Sequence, residues 1–161
     1  MDESLFARSL LLVFLLLCSA FFSACEVAYF SLNSLQLNEM SEKKGHLGRI
    51  VNSLLEKPRE LLITIYIGNE FVNIAISVVV TSIAINVFGN LGVGIAIGVG
   101  TLLLLVFGDI IPKSISLKFS QPYALFSAYP LTIFAKIVQP AQKLFSIWTE
   151  KIISYMGILP H

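Results

Sequence analysis

Residues 5–32 read LFARSLLLVFLLLCSAFFSACEVAYFSL. Across that run the only charges are Arg8 near the start and Glu26 near the end. About 20 apolar residues suffice to cross roughly 30 Å of hydrocarbon, so the stretch predicts a membrane-spanning helix. The acidic Asp2 and Glu3 ahead of it, its length, and Leu17 before Cys18 all argue against a cleaved leader, and the helix is expected to be retained.

Two further apolar stretches follow. Residues 61–88 are interrupted by Asn69, Glu70 and Asn73, and residues 91–112 carry Asp109 near their end. The 161 residues are 56% hydrophobic and 13% charged. Soluble domains average about 45–50% apolar and about 25% charged, so a soluble globule or a disordered chain is excluded. A formal net charge of +1 gives no basic field, and nucleic acid is not an expected partner. Cys18 and Cys25 are seven apart on one helical face and read as packing residues rather than a disulfide. The fold class expected is an all-α membrane protein with three transmembrane helices, residues 1–161 forming a single transmembrane domain.

Basic residues mark the cytoplasmic side. Lys43, Lys44, Arg49, Lys57 and Arg59 lie between the first two spans; Lys113, Lys118, Lys136, Lys143 and Lys151 follow the third; Gly89-Asn90 between spans two and three carries none. A multi-pass protein of the cell membrane, N-terminus outside and C-terminus cytoplasmic, is the expected topology. Residues 34–57 alternate apolar and charged positions around Gly45, predicting a cytoplasmic juxtamembrane pair of short amphipathic helices. Residues 114–156 are apolar but punctuated by Pro122, Pro130 and Pro140 and by recurring lysines. They predict a C-terminal interfacial belt of broken helices, with aromatic rings at headgroup level and lysines snorkelling, rather than a fourth crossing.

Each span holds one acid: Glu26, Glu70 and Asp109. A carboxylate at mid-membrane costs about 2.5–3.5 kcal/mol and persists where it is paired, hydrated or useful. At the helical rise, Glu26 lies about 10 Å before its exit, Glu70 about 15 Å past Arg59 and Asp109 about 6 Å from Lys113, all in the cytoplasmic half. Neutral oxygens accompany them. Ser19, Ser23 and Glu26 share one face of the first helix, and Asn69 and Asn73 one face of the second. Gly68 and Gly108 precede Asn69 and Asp109, permitting close backbone approach or local helix opening. Pro112 lacks an N–H and leaves a carbonyl near Gly108 without its usual partner. Such oxygens suit Mg2+, Ca2+, Mn2+ or an alkali ion, whereas His46 and His161 fall outside the spans and no Cys/His cluster exists for zinc. No nucleophile–base pair or phosphate loop is visible, and an enzyme is not expected.

Plainer roles stand beside these. Ser19 and Ser23 could bond to their own preceding turn, and Asn69 and Asn73 could be interhelical glue. Glu26 or Glu70 could pair with a belt lysine, and Asp109 with Lys113 one turn away. Gly94 and Gly98 have GxxxG spacing and read as a packing face, of a dimer for example.

Ser23-Ala24-Cys25-Glu26-Val27-Ala28, Ile67-Gly68-Asn69 with Asn73, and Gly108-Asp109-Ile110-Ile111-Pro112-Lys113 together resemble the transmembrane domain of the CNNM/CorC family of magnesium transport proteins. The resemblance covers essentially the whole chain. It implies a homodimer in the lipid bilayer and Mg2+ export coupled to Na+. It also implies Mg2+ ligation by Ser23, Asn69, Gly108 and Asp109, with Glu26, Glu70 and Asn73 as second choices for the cation path or a coupling ion. Gly68, Pro112, Lys113, Gly94 and Gly98 would then serve packing or gating. The family usually has Glu where this chain has Asp109, which keeps the charge and shortens the reach by one methylene. Full-length members continue into a cytosolic CBS-domain pair. From the residues themselves two other functions stay open: a membrane anchor and dimerisation module for such cytosolic domains, and a proton relay through Glu26 and Glu70.

Overall fold

The computed structural model describes residues 3–155, and every regular element in them is helical. Asp2, Met156 at the expected belt end and His161 lie outside the described residues. α1 spans Glu3–Phe30, α2 Ser34–Lys43, α3 Gly45–Leu55, α4 Pro58–Phe88, α5 Gly92–Leu103, α6 Ile111–Lys118 and α7 Ser120–Tyr155. A 3₁₀ turn, Gly89–Leu91, joins α4 to α5, and a π-helical stretch, Leu104–Ile110, joins α5 to α6.

Local chemistry sets the breaks. Asn33 caps α2 reciprocally with Gln36, accepting from the Gln36 N–H at 2.8 Å while the Gln36 side chain accepts from the Asn33 N–H at 3.1 Å. Gly45 parts α2 from α3 at φ 58°, and Gly89 ends α4 at φ 61°, a region glycine enters without a Cβ penalty. Pro58 opens α4 within its first turn, where its missing N–H costs nothing. Among the described residues two helical runs are long and apolar enough to cross a membrane, Glu3–Phe30 and Pro58–Lys118. The second folds back at Gly89, so that α5 lies against α4.

The α4–α5 contact uses other small residues than the Gly94/Gly98 pair. A Cβ added at Gly94 or Gly98 would meet nothing within 4 Å among the described residues. The stripe that packs is Gly92, Ala96 and Gly100: a Cβ on Gly92 would strike the backbone of Ala84, and one on Gly100 would lie 3.1 Å from Val80. Small residues four apart let two helices approach where lipid supplies no hydrophobic drive.

The C-terminal region differs from the expected broken helices. α7 is one helix of 36 residues that passes through Pro130 and Pro140, with Pro122 in its first turn. A proline inside a helix removes one hydrogen bond and costs about 3 kcal/mol. Here tertiary contact offsets it, because α7 lies across α1, α3 and α4. Buried Ala124, Ala128 and Leu131 join Phe22, Ala28 and Tyr29 of α1, Val51 of α3 and Ile65 of α4 in one core. Polar ties fix the crossing. The Tyr29 hydroxyl donates to the Ala124 carbonyl at 3.0 Å, the Tyr123 hydroxyl to the Phe21 carbonyl at 3.2 Å, and the Gln142 amide to the Glu60 carbonyl and to Thr64. Tyr29→Phe removes the buried α1–α7 bond and is expected to lower stability by about 1 kcal/mol, read by chemical unfolding in detergent.

The outward faces carry Phe14, Leu17, Phe71, Val78, Ile97 and Leu102, each more than 60% exposed. An apolar exterior this continuous is matched by lipid.

Candidate cation site

Helical periodicity presents Ser19, Ser23 and Glu26 on one stripe of α1, and Tyr66, Asn69 and Asn73 on one stripe of α4. The π stretch closes the third side with Gly108 and Asp109, and Lys113 of α6 reaches in from the next turn. Together with Leu104 and Leu105 they line a cleft of about 220 Å³.

The polar groups are ordered by one another. The Ser19 hydroxyl donates to Asn73 Oδ1 at 2.9 Å and lies 3.3 Å from Asn69 Oδ1, so two amide oxygens converge on one hydroxyl. Glu26 accepts from the Tyr66 hydroxyl at 3.0 Å through Oε1 and faces the Lys113 ammonium at 3.1 Å through Oε2. The same ammonium lies 3.0 Å from Asp109 Oδ1. Ser23 stands apart. The residue borders the cleft, and its buried Oγ has no hydrogen-bond partner among the described residues. Ser77, Thr81, Ser114 and Thr132 each donate to the carbonyl four residues back in their own helix, the usual fate of a helical hydroxyl. Ser23 does not, and a buried unmet hydroxyl costs about 1–3 kcal/mol.

The π stretch supplies backbone oxygen as well. The Ile111 N–H donates to the Val106 carbonyl, five residues back. Proline at 112 has no N–H to offer. The Phe107 carbonyl therefore lacks its five-residue partner, and the Gly108 carbonyl its four-residue one. Gly108 brings this backbone to α1: a Cβ there would lie 2.9 Å from Ser19 Oγ.

Of the residues singled out in the sequence, Ser23, Asn69, Gly108, Asp109, Glu26, Asn73 and Lys113 come together around the cleft. Glu70 does not. One residue past Asn69 turns the helix by about 100°, and Glu70 is exposed on the outer face beside Phe71. This corrects its placement with the other two acids. Gly68 is buried under the rings of Phe22 and Phe134, in an unbroken α4, so it serves packing and not helix opening. Pro112 is buried in the first turn of α6 and lies outside the cleft. Ser19, expected on the face of Ser23 and Glu26, lines the cleft with them, and Tyr66 is a lining residue that the sequence did not single out. Tyr66 lies three before Asn69 and seven before Asn73, a spacing that puts it on their face, and Ser19 is one turn before Ser23.

Among the described residues no three His, Cys, Asp or Glu side chains gather as a metal cluster. The donors at hand are hydroxyl, amide oxygen, backbone carbonyl and carboxylate, the set that suits a hard cation.

A family model described as the cyclin M transmembrane N-terminal domain matches residues 10–161. A UPF0053 protein of Haemophilus influenzae is 36% identical over 149 residues, which are 92% of this chain and 36% of that protein. The UPF0053 inner membrane protein YfjD of Escherichia coli is 33% identical over 140 residues, 87% of this chain and 33% of its own length. A chloroplastic DUF21 domain-containing protein of Arabidopsis thaliana is 32% identical over 151 residues, 94% and 23% respectively. The chain thus spans about a third or less of the length of these relatives. With a family match across nearly its whole length and the helical apolar architecture described above, this chain belongs to the CNNM family of transmembrane domains, the group that includes the UPF0053 and DUF21 proteins.

Proposed function

We propose that the domain carries Mg2+ across a cell membrane and that the cleft is its dehydrated binding site. The observation that carries this reading is Ser23: a buried hydroxyl that forgoes its own helix, on a residue bordering an oxygen-lined cleft, is available to ligate an ion. Mg2+ gives up water reluctantly, so a site inside the bilayer must replace it with several well-placed oxygens. Asn69, the Gly108 carbonyl and Asp109 supply the others, with Glu26 and Asn73 beside them.

In this reading α1, α4 and α5 with its π extension form three spans, and the turn at Gly89 lies outside. The basic residues of α2–α3 and α7 then lie inside, which puts the cleft in the inner half of the bilayer. α7, about 54 Å long at 1.5 Å per residue, is a belt helix along the inner interface, since it touches α1 and α4 near their inner ends. The inner-membrane name of the Escherichia coli relative favours the same location. Export driven by inward Na+, a homodimer and cytosolic CBS-pair partners in the longer protein complete the proposal. Gly94 and Gly98, open on the outer face of α5, are the surface that favours the dimer, and also the second reading of an anchoring and dimerisation module.

Ser23→Ala separates the two. If Ser23 is a ligand, the substitution weakens Mg2+ binding about tenfold in calorimetry and leaves the ion-free protein as stable as before or more so, because an unmet hydroxyl is removed. Unchanged binding, or no Mg2+ binding by the parent protein, rejects the site.

A further inference from the structure

We infer that Lys113 is a tethered counter-cation of this site: its ammonium fills the position between Glu26 and Asp109 when no divalent ion is there, and withdraws when one binds. The inference rests on the cation reading above. The ammonium lies 3.1 Å from Glu26 and 3.0 Å from Asp109, so one positive charge joins carboxylates from α1 and from the π stretch. It stands in the same cleft as the unpartnered Ser23, where an incoming ion would bind. The two tasks exclude each other, since a hard divalent ion needs the carboxylate oxygens that the ammonium holds.

Charge arithmetic explains why a lysine belongs there. Two carboxylates with no cation in an apolar surround carry a large desolvation cost. A carrier that has released its ion must still return through the bilayer, and Lys113 leaves that empty state with one net negative charge instead of two. With a divalent ion bound and the lysine withdrawn, the two carboxylates are neutralised. A monovalent ion brings no more charge than the ammonium it must displace, whereas a divalent ion does, so Lys113 sets a charge threshold that selects divalent cations. The lysine can move, because an ammonium on a flexible four-carbon stem has no fixed bonding plane and the side chain is 35% exposed. It sits just after Pro112, where α6 begins, so that its release need not disturb the π stretch.

The test is Mg2+ calorimetry on the purified full chain with Lys113→Met and Lys113→Arg. Removing the competing charge is expected to tighten Mg2+ binding about tenfold or more in Lys113→Met, with Lys113→Arg near the parent. In liposomes Lys113→Met should lose most net Mg2+ movement while keeping Mg2+–Mg2+ exchange, since only net movement requires the empty carrier to return. A purely structural ion pair predicts the opposite, equal or weaker binding in Lys113→Met, and that result overturns the inference. On the parent protein itself, Mg2+ should raise reductive methylation of the Lys113 amine several-fold by mass spectrometry; no change also overturns it. Absence of Mg2+ binding in parent and variants alike rejects the cation site and this inference with it. Parent binding with unchanged affinity in Lys113→Met rejects this inference alone.

Discussion

Asp109→Asn is expected to lower Mg2+ affinity by about a hundredfold or more, with Asp109→Glu keeping most of it. Asp109 is the carboxylate on the π stretch, beside the loosened Phe107 and Gly108 carbonyls and across from Asn69. Two unit charges about 4 Å apart at an effective dielectric of about 20 interact by about 4 kcal/mol, and a divalent ion doubles the charge on one side. The amide keeps shape and an oxygen donor, so a loss of this size reports charge. Glu70→Gln is the matched control. It removes an acid one residue from Asn69, yet the side chain is exposed away from the cleft, and calorimetry should find the affinity unchanged within about twofold. Equal losses for Asp109→Asn and Glu70→Gln would mean that the cleft is not where the ion binds.

Gly68→Leu is expected to prevent recovery of a folded, monodisperse protein. A Cβ at this position already collides with the Phe22 ring of α1 and lies 2.9 Å from the Phe134 ring of α7. Those rings hold each other with centroids 5.0 Å apart, so neither can swing away alone. Overpacking a core costs about 1–3 kcal/mol for added methylenes, and a branched four-carbon side chain against two locked rings exceeds that range. Gly94→Leu gives the contrast. It adds the same side chain to the same kind of helix, facing open space. The protomer should keep its melting temperature, and any effect should fall on self-association by size-exclusion chromatography.

Much of the cleft was legible because it is built on helical periodicity. Ser23 and Glu26 are three apart and Asn69 and Asn73 four apart, and such pairs face one way whatever surrounds them. Pro112 after Gly108-Asp109 signalled a disturbed helix by its missing N–H, and the disturbance took the form of a π stretch. What escaped depends on neighbours far along the chain. Glu70 shares a composition signal with Glu26 and Asp109, and only the packing of α4 on α1 decides which flank of α4 faces inward. Gly94/Gly98 and Gly92/Gly100 are equally good small-residue stripes in sequence, and the turn at Gly89 selects the second. Pro130 and Pro140 carry an intrinsic cost that predicts breaks, yet contacts with α1, α3 and α4 outweigh it.

The π stretch also sets a phase. A helix wound five residues to the bond instead of four behaves as though one residue had been inserted, and everything downstream is turned by roughly 100°. Two things depend on that rotation at once. Asp109 and Lys113 point toward Glu26, and Ser116, about one turn beyond Lys113, meets α1 with its hydroxyl donating to the Ala24 carbonyl at 2.6 Å. Rewound as a plain α-helix, the segment would carry its acid, its lysine and its docking serine off α1 together. The cation site and the seam that fastens α6 are thus kept in register by the same local irregularity, and neither can drift without the other.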